Sequence, residues 1–410
     1  MLHVTRYMLH ALYYMISCDF APNEQLDDAL LSLSLLFQPW RWYKGKETEV
    51  VKRKLSSIFN ISRLKFNVSL FLSGRSALYH LLKSFKLPKD SQVIVQAFTC
   101  EAVVLPIIAN KLRPLYIDIE KETFSMNIND LRNKINKNCR VLILQHTFGL
   151  TPKYRKEILQ FAKINKLTVI EDLAHGFDPS IFGSLNYQLL ATSYYLLSFG
   201  RSKPFSSVFG AAFISPKKIN FAQLKNPSNN FILHCLVYKP ITFLIKKTYD
   251  IYLGRIIHQV ANILSLLIPE ISEKEKSGQF DEALNKTYLN ALAILLLQQL
   301  KKYDQMQKQR LTIAKYYEKR VDQSLLRYPM LIENRDKIIE KARRNNIFLG
   351  QWYDQVVVPK SLDLNKVFYH KGSCPVAEKV CQQIINLPTL IDINQANTVI
   401  KLLKSCKRLS

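Results

Sequence analysis

The chain has 410 residues, 48% hydrophobic and 22% charged, the balance of a globular protein that buries a sizeable core. With 11 Gly, 16 Pro and no repetitive tract, the composition excludes low-complexity and solenoid chains. The net charge of +26 suits nucleic acid, an anionic membrane surface or phosphorylated substrates, and a compositional bias of the source accounts for it equally well.

No aromatic-rich RNA-binding signature, Cys/His finger or helix-turn-helix accompanies that charge, so specific nucleic-acid binding is set aside. Seven scattered cysteines (Cys18, Cys100, Cys139, Cys235, Cys374, Cys381, Cys406) lack metal-ligand or disulfide-framework spacing, which points to a reducing cytosol and no metal site.

In chain order, residues 1–40 read as an N-terminal helical segment. Met1 to Phe20 carries Arg6 inside short apolar runs and lacks a small-residue cleavage site. It is too interrupted to span a bilayer, and the expectation is a helix docked on the body or on a partner.

Residues 41–225 read as a large α/β domain. Val93–Val95, Leu115–Ile119, Val141–Leu144 and Thr168–Ile170 are short apolar runs suited to strands buried on both faces. Ser76–Lys86, Glu101–Lys111, Asn129–Asn136 and Pro152–Asn165 between them have helical spacing, with Pro152 in the first turn of its helix. This alternation predicts a mostly parallel sheet with helices on both faces and a ligand site beyond the carboxyl ends of the strands.

Residues 226–284 break the rhythm with runs that are apolar and basic together: Phe231–Val237, Ile241–Ile245 and Ile256–Ile268, with Lys239, Lys246, Lys247 and Arg255. None reaches the roughly 18 uninterrupted apolar residues of a spanning helix. The segment reads as an inserted helical pair packed on the body or on a second subunit, with peripheral contact to an anionic membrane as the alternative. Residues 285–410 read as a smaller C-terminal α/β domain opening on a long helix, Tyr288 to about Val321, whose Leu292, Leu296, Leu300 and Tyr303 share a face.

Four motifs fall at strand ends. Ser73-Gly74-Arg75-Ser76 follows an apolar run and opens a helix, whose free N–H groups and dipole can hold a phosphate. Gln145–Gly149 puts a polar tip on an apolar strand. Asp172, in Glu171–His175, taken alone would cap the next helix, and it can equally hold a cofactor's ring nitrogen protonated. Lys203, closing Ser198–Lys203, taken alone is an ordinary solvated lysine.

Together the ordered motifs resemble fold-type-I pyridoxal-phosphate enzymes, and within them the DegT/DnrJ/EryC1/StrS family of sugar aminotransferases. Ser73–Leu78, Gln96–Cys100, His146–Gly149, Glu171–His175, Ser198–Lys203, Gly372–Glu378 and Asn386–Thr389 carry the likeness. It runs from about Trp40 to the C-terminus, interrupted over 226–278.

The resemblance implies pyridoxal 5'-phosphate as cofactor and Lys203 as the lysine that forms a Schiff base with it and shuttles the proton. Asp172 then pairs with the ring nitrogen and His175 with the phenolic oxygen. Ser198 and the turn at Gly74, Arg75 and Ser76 hold the phosphate, and Asn285 reaches a neighbouring subunit's phosphate. It also implies an amino-acid donor, glutamate in the family, a nucleotide-linked keto-sugar acceptor, and a homodimer with shared active sites, acting in cell-surface polysaccharide or amino-sugar biosynthesis. Arg75 stands where the family has a small hydroxyl residue, Cys100 where it often places a stacking aromatic, and Ala211 where it has a second Gly. These departures keep two alternatives open: another pyridoxal-phosphate reaction such as dehydration or decarboxylation, and a binding or regulatory homologue without turnover.

Overall fold

Short aliphatic runs bounded by turns become the central sheet. The computed structural model describes residues 15–59, 66–177 and 193–407. Seven strands pair in one sheet: β1 (Asn67–Phe71), β2 (Gln92–Gln96), β3 (Arg113–Ile117), β4 (Cys139–Gln145), β5 (Thr168–Asp172), β6 (Ser193–Ser198) and β7 (Ala211–Ser215). Their spatial order is β1-β7-β6-β5-β4-β2-β3. The pairs β2/β3, β2/β4, β4/β5 and β5/β6 are parallel, and β7 alone runs against its neighbours β6 and β1. The sheet is therefore mostly parallel, as the strand–helix alternation predicts.

Alternation along each strand feeds two cores. Val93, Val95, Val141 and Ile143 pack into a cluster on one face. Ile94, Leu142 and Leu144 pack into a cluster on the other. Helices Gly74–Ser84, Glu101–Ala109, Ile128–Lys134 and Arg155–Ile164 connect the strands. Pro152 is not in the first turn of its helix. Its carbonyl accepts from Arg155 N–H in the turn before the helix, because the chain must first bend away from the 3-10 turn Thr147–Gly149.

The N-terminal segment is only partly helical. Residues 1–14 lie outside the described residues, and Ile16–Ser17 is a short strand parallel to Ile347–Phe348 rather than helix. Pairing with a distant edge decides this, which local periodicity cannot signal. Helix α1 (Leu26–Leu36) follows. The 226–284 stretch contains a helical pair, α2 (Asn229–Thr248) and α3 (Leu253–Ile263). The long helix α4 (Asn290–Tyr317) comes next, with Leu292 and Leu296 buried in a third cluster. Arg327–Leu331 and Ile384–Pro388 form a two-stranded antiparallel sheet covered by Arg335–Arg344, Pro375–Gln383 and Ile393–Lys407.

One small pairing positions the site. Val357–Val358 runs parallel to Thr99–Cys100, which ties the C-terminal region to the carboxyl edge of the main sheet. Among the described residues no helix is long and apolar enough to cross a membrane.

Candidate functional site

A cavity opens at the carboxyl edge, where β1, β5 and β6 end and the reversed β7 begins. Gly74, Arg75, Cys100, Asp172, His175, Ser198 and Lys203 line it. Seven of the nine residues singled out in the sequence thus converge from separate motifs. Ser76 and Asn285 do not line it. The Ser76 hydroxyl donates to Asn285 Oδ1 at 2.9 Å, and His80 Nε2 meets the same oxygen at 2.5 Å. Within the chain, Asn285 Oδ1 is thus shared by Ser76 and His80.

The two-residue period of β5 splits its acidic pair. Asp172 faces the cavity, and Glu171 faces the opposite side. There Arg155 donates Nε and Nη2 to Glu171 at 2.7 and 2.9 Å, and His146 Nε2 lies 2.9 Å from Oε2. Burial alone would raise the Glu171 pKa, but Arg155 and His146 outweigh it and hold the carboxyl at about 2. His146 is therefore a buttress behind the sheet and takes no place in the cavity.

Asp172 has no such partner cation in contact. Its Oδ1 accepts Ala174 N–H at 3.0 Å, and burial raises its pKa despite that bond and the charge of Lys203. Lys203 shifts the other way: burial lowers its pKa, against the pull of Cys100, Asp172 and Glu270 and with the help of Arg327. An amine biased toward its neutral form thus shares a cavity with a carboxyl biased toward holding a proton.

His175 is fixed as a neutral tautomer. Its Nδ1 accepts Phe148 N–H at 3.1 Å, so the ring proton sits on Nε2 and donates to the Tyr353 hydroxyl at 3.0 Å. Burial and the charges of Lys203 and Arg327 push its pKa well below the usual range. Both ring nitrogens are engaged within the protein. The donor left for a ligand is the Tyr353 hydroxyl, which also lines the cavity.

The phosphate-type turn is built as its sequence suggests, with one change. Ser73 caps the helix Gly74–Ser84 by accepting Ser76 N–H at 3.2 Å. Gly74 lies against Ser198: a Cβ on it would come within 3.8 Å of the Ser198 hydroxyl. Arg75 turns aside. It pairs with Glu275 and with Glu101 at 3.5 Å, and donates to the Glu270 carbonyl at 2.9 Å. Its charge is neutralised by carboxylates that lie far away in sequence. Cys100 packs as a neutral thiol, its pKa pushed up to about 12 by burial and by Glu101, which agrees with a small filler rather than a nucleophile.

Sequence reasoning missed four contributors. Trp352 places its ring centroid 4.9 Å from Lys203 Nζ, with the Arg327 guanidinium 3.3 Å from the centroid of the same ring. Tyr353 lies beside it, the two rings parallel at 5.8 Å. Asn23 donates to the Lys203 carbonyl at 2.6 Å and accepts from Arg310 at 2.8 Å, so the N-terminal segment braces the lysine loop. None sits in a motif; a Trp-Tyr pair between the turn residues Gly350 and Pro359 was the one available signal. Among the described residues no His/Cys/Asp/Glu cluster is arranged to hold a metal ion.

Comparison with known proteins agrees with this architecture. The model of the DegT/DnrJ/EryC1/StrS aminotransferase family matches residues 40–207 and 273–404. A Methanocaldococcus jannaschii protein, MJ1066, is 25% identical over 79% of this chain and 81% of its own length. The dTDP-4-amino-4,6-dideoxy-D-glucose transaminase of Escherichia coli is 26% identical over 46% of this chain and 49% of its own. GDP-perosamine synthase of Escherichia coli O157:H7 is 30% identical over 27% of this chain and 30% of its own. In fold, DesV of S. venezuelae superposes with a TM-score of 0.66 at 16% identity, covering 92% of this chain and 94% of that one. NtdA of Bacillus subtilis, solved with bound PMP, gives 0.66 at 18% identity over 94% and 83%.

Proposed function

The chain belongs to the DegT/DnrJ/EryC1/StrS aminotransferase family, and we propose that it moves an amino group from an amino acid to a keto-sugar carried on a nucleotide, with pyridoxal phosphate bound at Lys203. The convergence of Lys203, Asp172 and the Gly74 helix N-terminus in one cavity carries the reading. Curated relatives named for nucleotide-sugar products support the acceptor class. Glutamate is the donor this reading takes from the family.

The residues fit the cofactor. Three unlike needs have to be met together: an amine whose pKa is lowered by burial, a carboxyl beside the ring nitrogen and a dipole for a phosphate. When bound, the cofactor supplies an electron sink for the carbon that carries the amino group. Asp172 faces the cavity, where its carboxylate would pair with the ring nitrogen and keep that nitrogen protonated. Lys203 Nζ, its pKa lowered by burial, takes a proton from the substrate carbon and returns it. Ser198 and the N–H groups opening the helix Gly74–Ser84 hold the phosphate, while Arg75 stays with Glu101 and Glu275 and orders the turn. The Nε2–H of His175 orients the Tyr353 hydroxyl, which donates into the cavity. Trp352 shields Lys203 from water and takes the covering role that Cys100 is too small to fill.

The test is spectroscopic and chemical. Purified protein mixed with pyridoxal phosphate should show a visible absorbance band that borohydride fixes and that Lys203→Ala removes. Labelled glutamate should then pass its nitrogen to a nucleotide-linked keto-sugar. A saturated protein whose band survives Lys203→Ala overturns the assignment of the lysine, and a normal band without nitrogen transfer to any keto-sugar overturns the substrate class.

A further inference from the structure

An amphipathic helix on a globular protein turns its large apolar residues inward. Helix α3 does the reverse. Gly254 and Ala261 are its buried residues, whereas Leu253, Ile256, Val260 and Ile263 face outward, Ile263 with 80% of its surface exposed. The close approach is built in, since a Cβ on Gly254 would collide with the backbone of Ile245 and Tyr249. Helix α1 is inverted in the same sense. It buries Asp28, Ala29, Ser32 and Leu35 and exposes Leu26, Leu30 and Leu33, with Phe37 at its end 80% exposed.

These helices are fastened to α2, which exposes Leu233 and Leu244. Ser32 Oγ donates to the Leu236 carbonyl at 2.7 Å, and Lys246 Nζ donates to the Ala21 carbonyl at 2.7 Å. Lys239 of α2 and Glu24 form a fully buried pair at 2.6 Å. The outward face is thus fixed by satisfied polar groups behind it. All three helices lie outside the segments that match the family model, residues 40–207 and 273–404.

Charge decides what can cover such a face. Neither α2 nor α3 contains an Asp or Glu, the two acids of α1, Asp27 and Asp28, pair with Lys302, and Lys247 stands exposed on α2. Exposed Trp40 and Tyr252 add rings with one apolar body and one polar tip, the type enriched where hydrocarbon meets water. An anionic bilayer surface accepts both the leucines and isoleucines and the cations.

We propose that α1, α2 and α3 form a docking face that lies on an anionic lipid surface. Binding is peripheral: the outward side chains enter the boundary between headgroups and acyl chains, and among the described residues no helix is long and apolar enough to cross.

The test uses the full chain loaded with pyridoxal phosphate and two vesicle preparations, phosphatidylcholine alone and equal parts phosphatidylcholine and phosphatidylglycerol. Wild type should pellet with the anionic vesicles, less so at high salt. The combined Leu30→Ser, Ile256→Ser and Ile263→Ser variant should lose about tenfold or more of that binding while its cofactor absorbance band and thermal unfolding stay unchanged. Those two readouts separate a lost surface from a lost fold, and they are independent of the sugar substrate. The proposal is overturned by equal pelleting of variant and wild type, by no preference for anionic vesicles, or by a lipid-free dimer that the same substitutions dissociate.

Discussion

The cavity edge and the α1–α3 layer treat burial in opposite ways. Around the cavity edge, two polar groups taken out of water have defined partners: Glu171 has Arg155 and His146, and His175 has Phe148 and Tyr353. In α3 the small residues Gly254 and Ala261 are taken in, and in α1 Asp28, Ala29 and Ser32 are buried along with Leu35, while Leu26, Leu30, Leu33, Ile256 and Ile263 are left in solvent. The Glu171 cluster is partnered within the chain, so a single deletion there strands a charge. The layer is incomplete by its own geometry, so a single deletion there costs the fold little. Sensitivity to substitution therefore separates a region finished within the chain from one that awaits a partner.

The sharpest contrast comes from the amine. Lys203→Ala should lower turnover by about a thousandfold or more, since both the covalent hold and the proton carrier disappear. Steady-state rates with saturating cofactor measure it.

Behind the sheet, Arg155→Met should destabilise the protein by about 3–5 kcal/mol, because Glu171 keeps its buried charge and loses its main partner. Urea unfolding reads this directly. The same pair sets an acid limit. The folded Glu171 pKa of about 2 lies below its ordinary 4.5, so an unfolded chain takes up the proton first. The contribution is complete above about pH 4.5 and is lost as pH falls toward 2, and the acid-unfolding midpoint should rise in the Arg155→Met variant.

In the layer, size and cost should invert. Gly254→Ala adds one methyl and should cost about 1–3 kcal/mol, since the backbone of Ile245 and Tyr249 occupies that space. Ile263→Ser removes most of a large side chain and should change stability by less than about 0.5 kcal/mol in lipid-free buffer. Equal and large costs at both positions would show that the outward face is packed after all.

Much of the first region was readable from residue order. Strand-like runs ending in Ser73-Gly74, Asp172 and Ser198 predict a shared edge, because parallel strands put their carboxyl ends together. The alternation that separates Asp172 from Glu171 is a property of any strand. What escaped was supplied from far along the chain. Trp352 and Tyr353 arrive through the pairing of Val357–Val358 with Thr99–Cys100, and the Glu275 carboxylate and Glu270 carbonyl that help Glu101 draw Arg75 aside sit some 200 positions later. His175 lines the cavity, but its Nε2–H is engaged by Tyr353, a contact that residue order does not signal.

Residue spacing in α1 and α3 established that Leu26, Leu30 and Leu33, and likewise Ile256, Val260 and Ile263, share one side of a helix. It left open which way that side points. Periodicity determines the phase of side chains around an axis, not the rotation of the axis against its neighbours. That rotation was settled by folding: Gly254 and Ala261 allow the backbones of α2 and α3 to meet closely, and Ser32 reaches the Leu236 carbonyl. The chemistry of this protein is therefore written in local order along the strands, and its outward face in contacts that exist only once distant helices have packed.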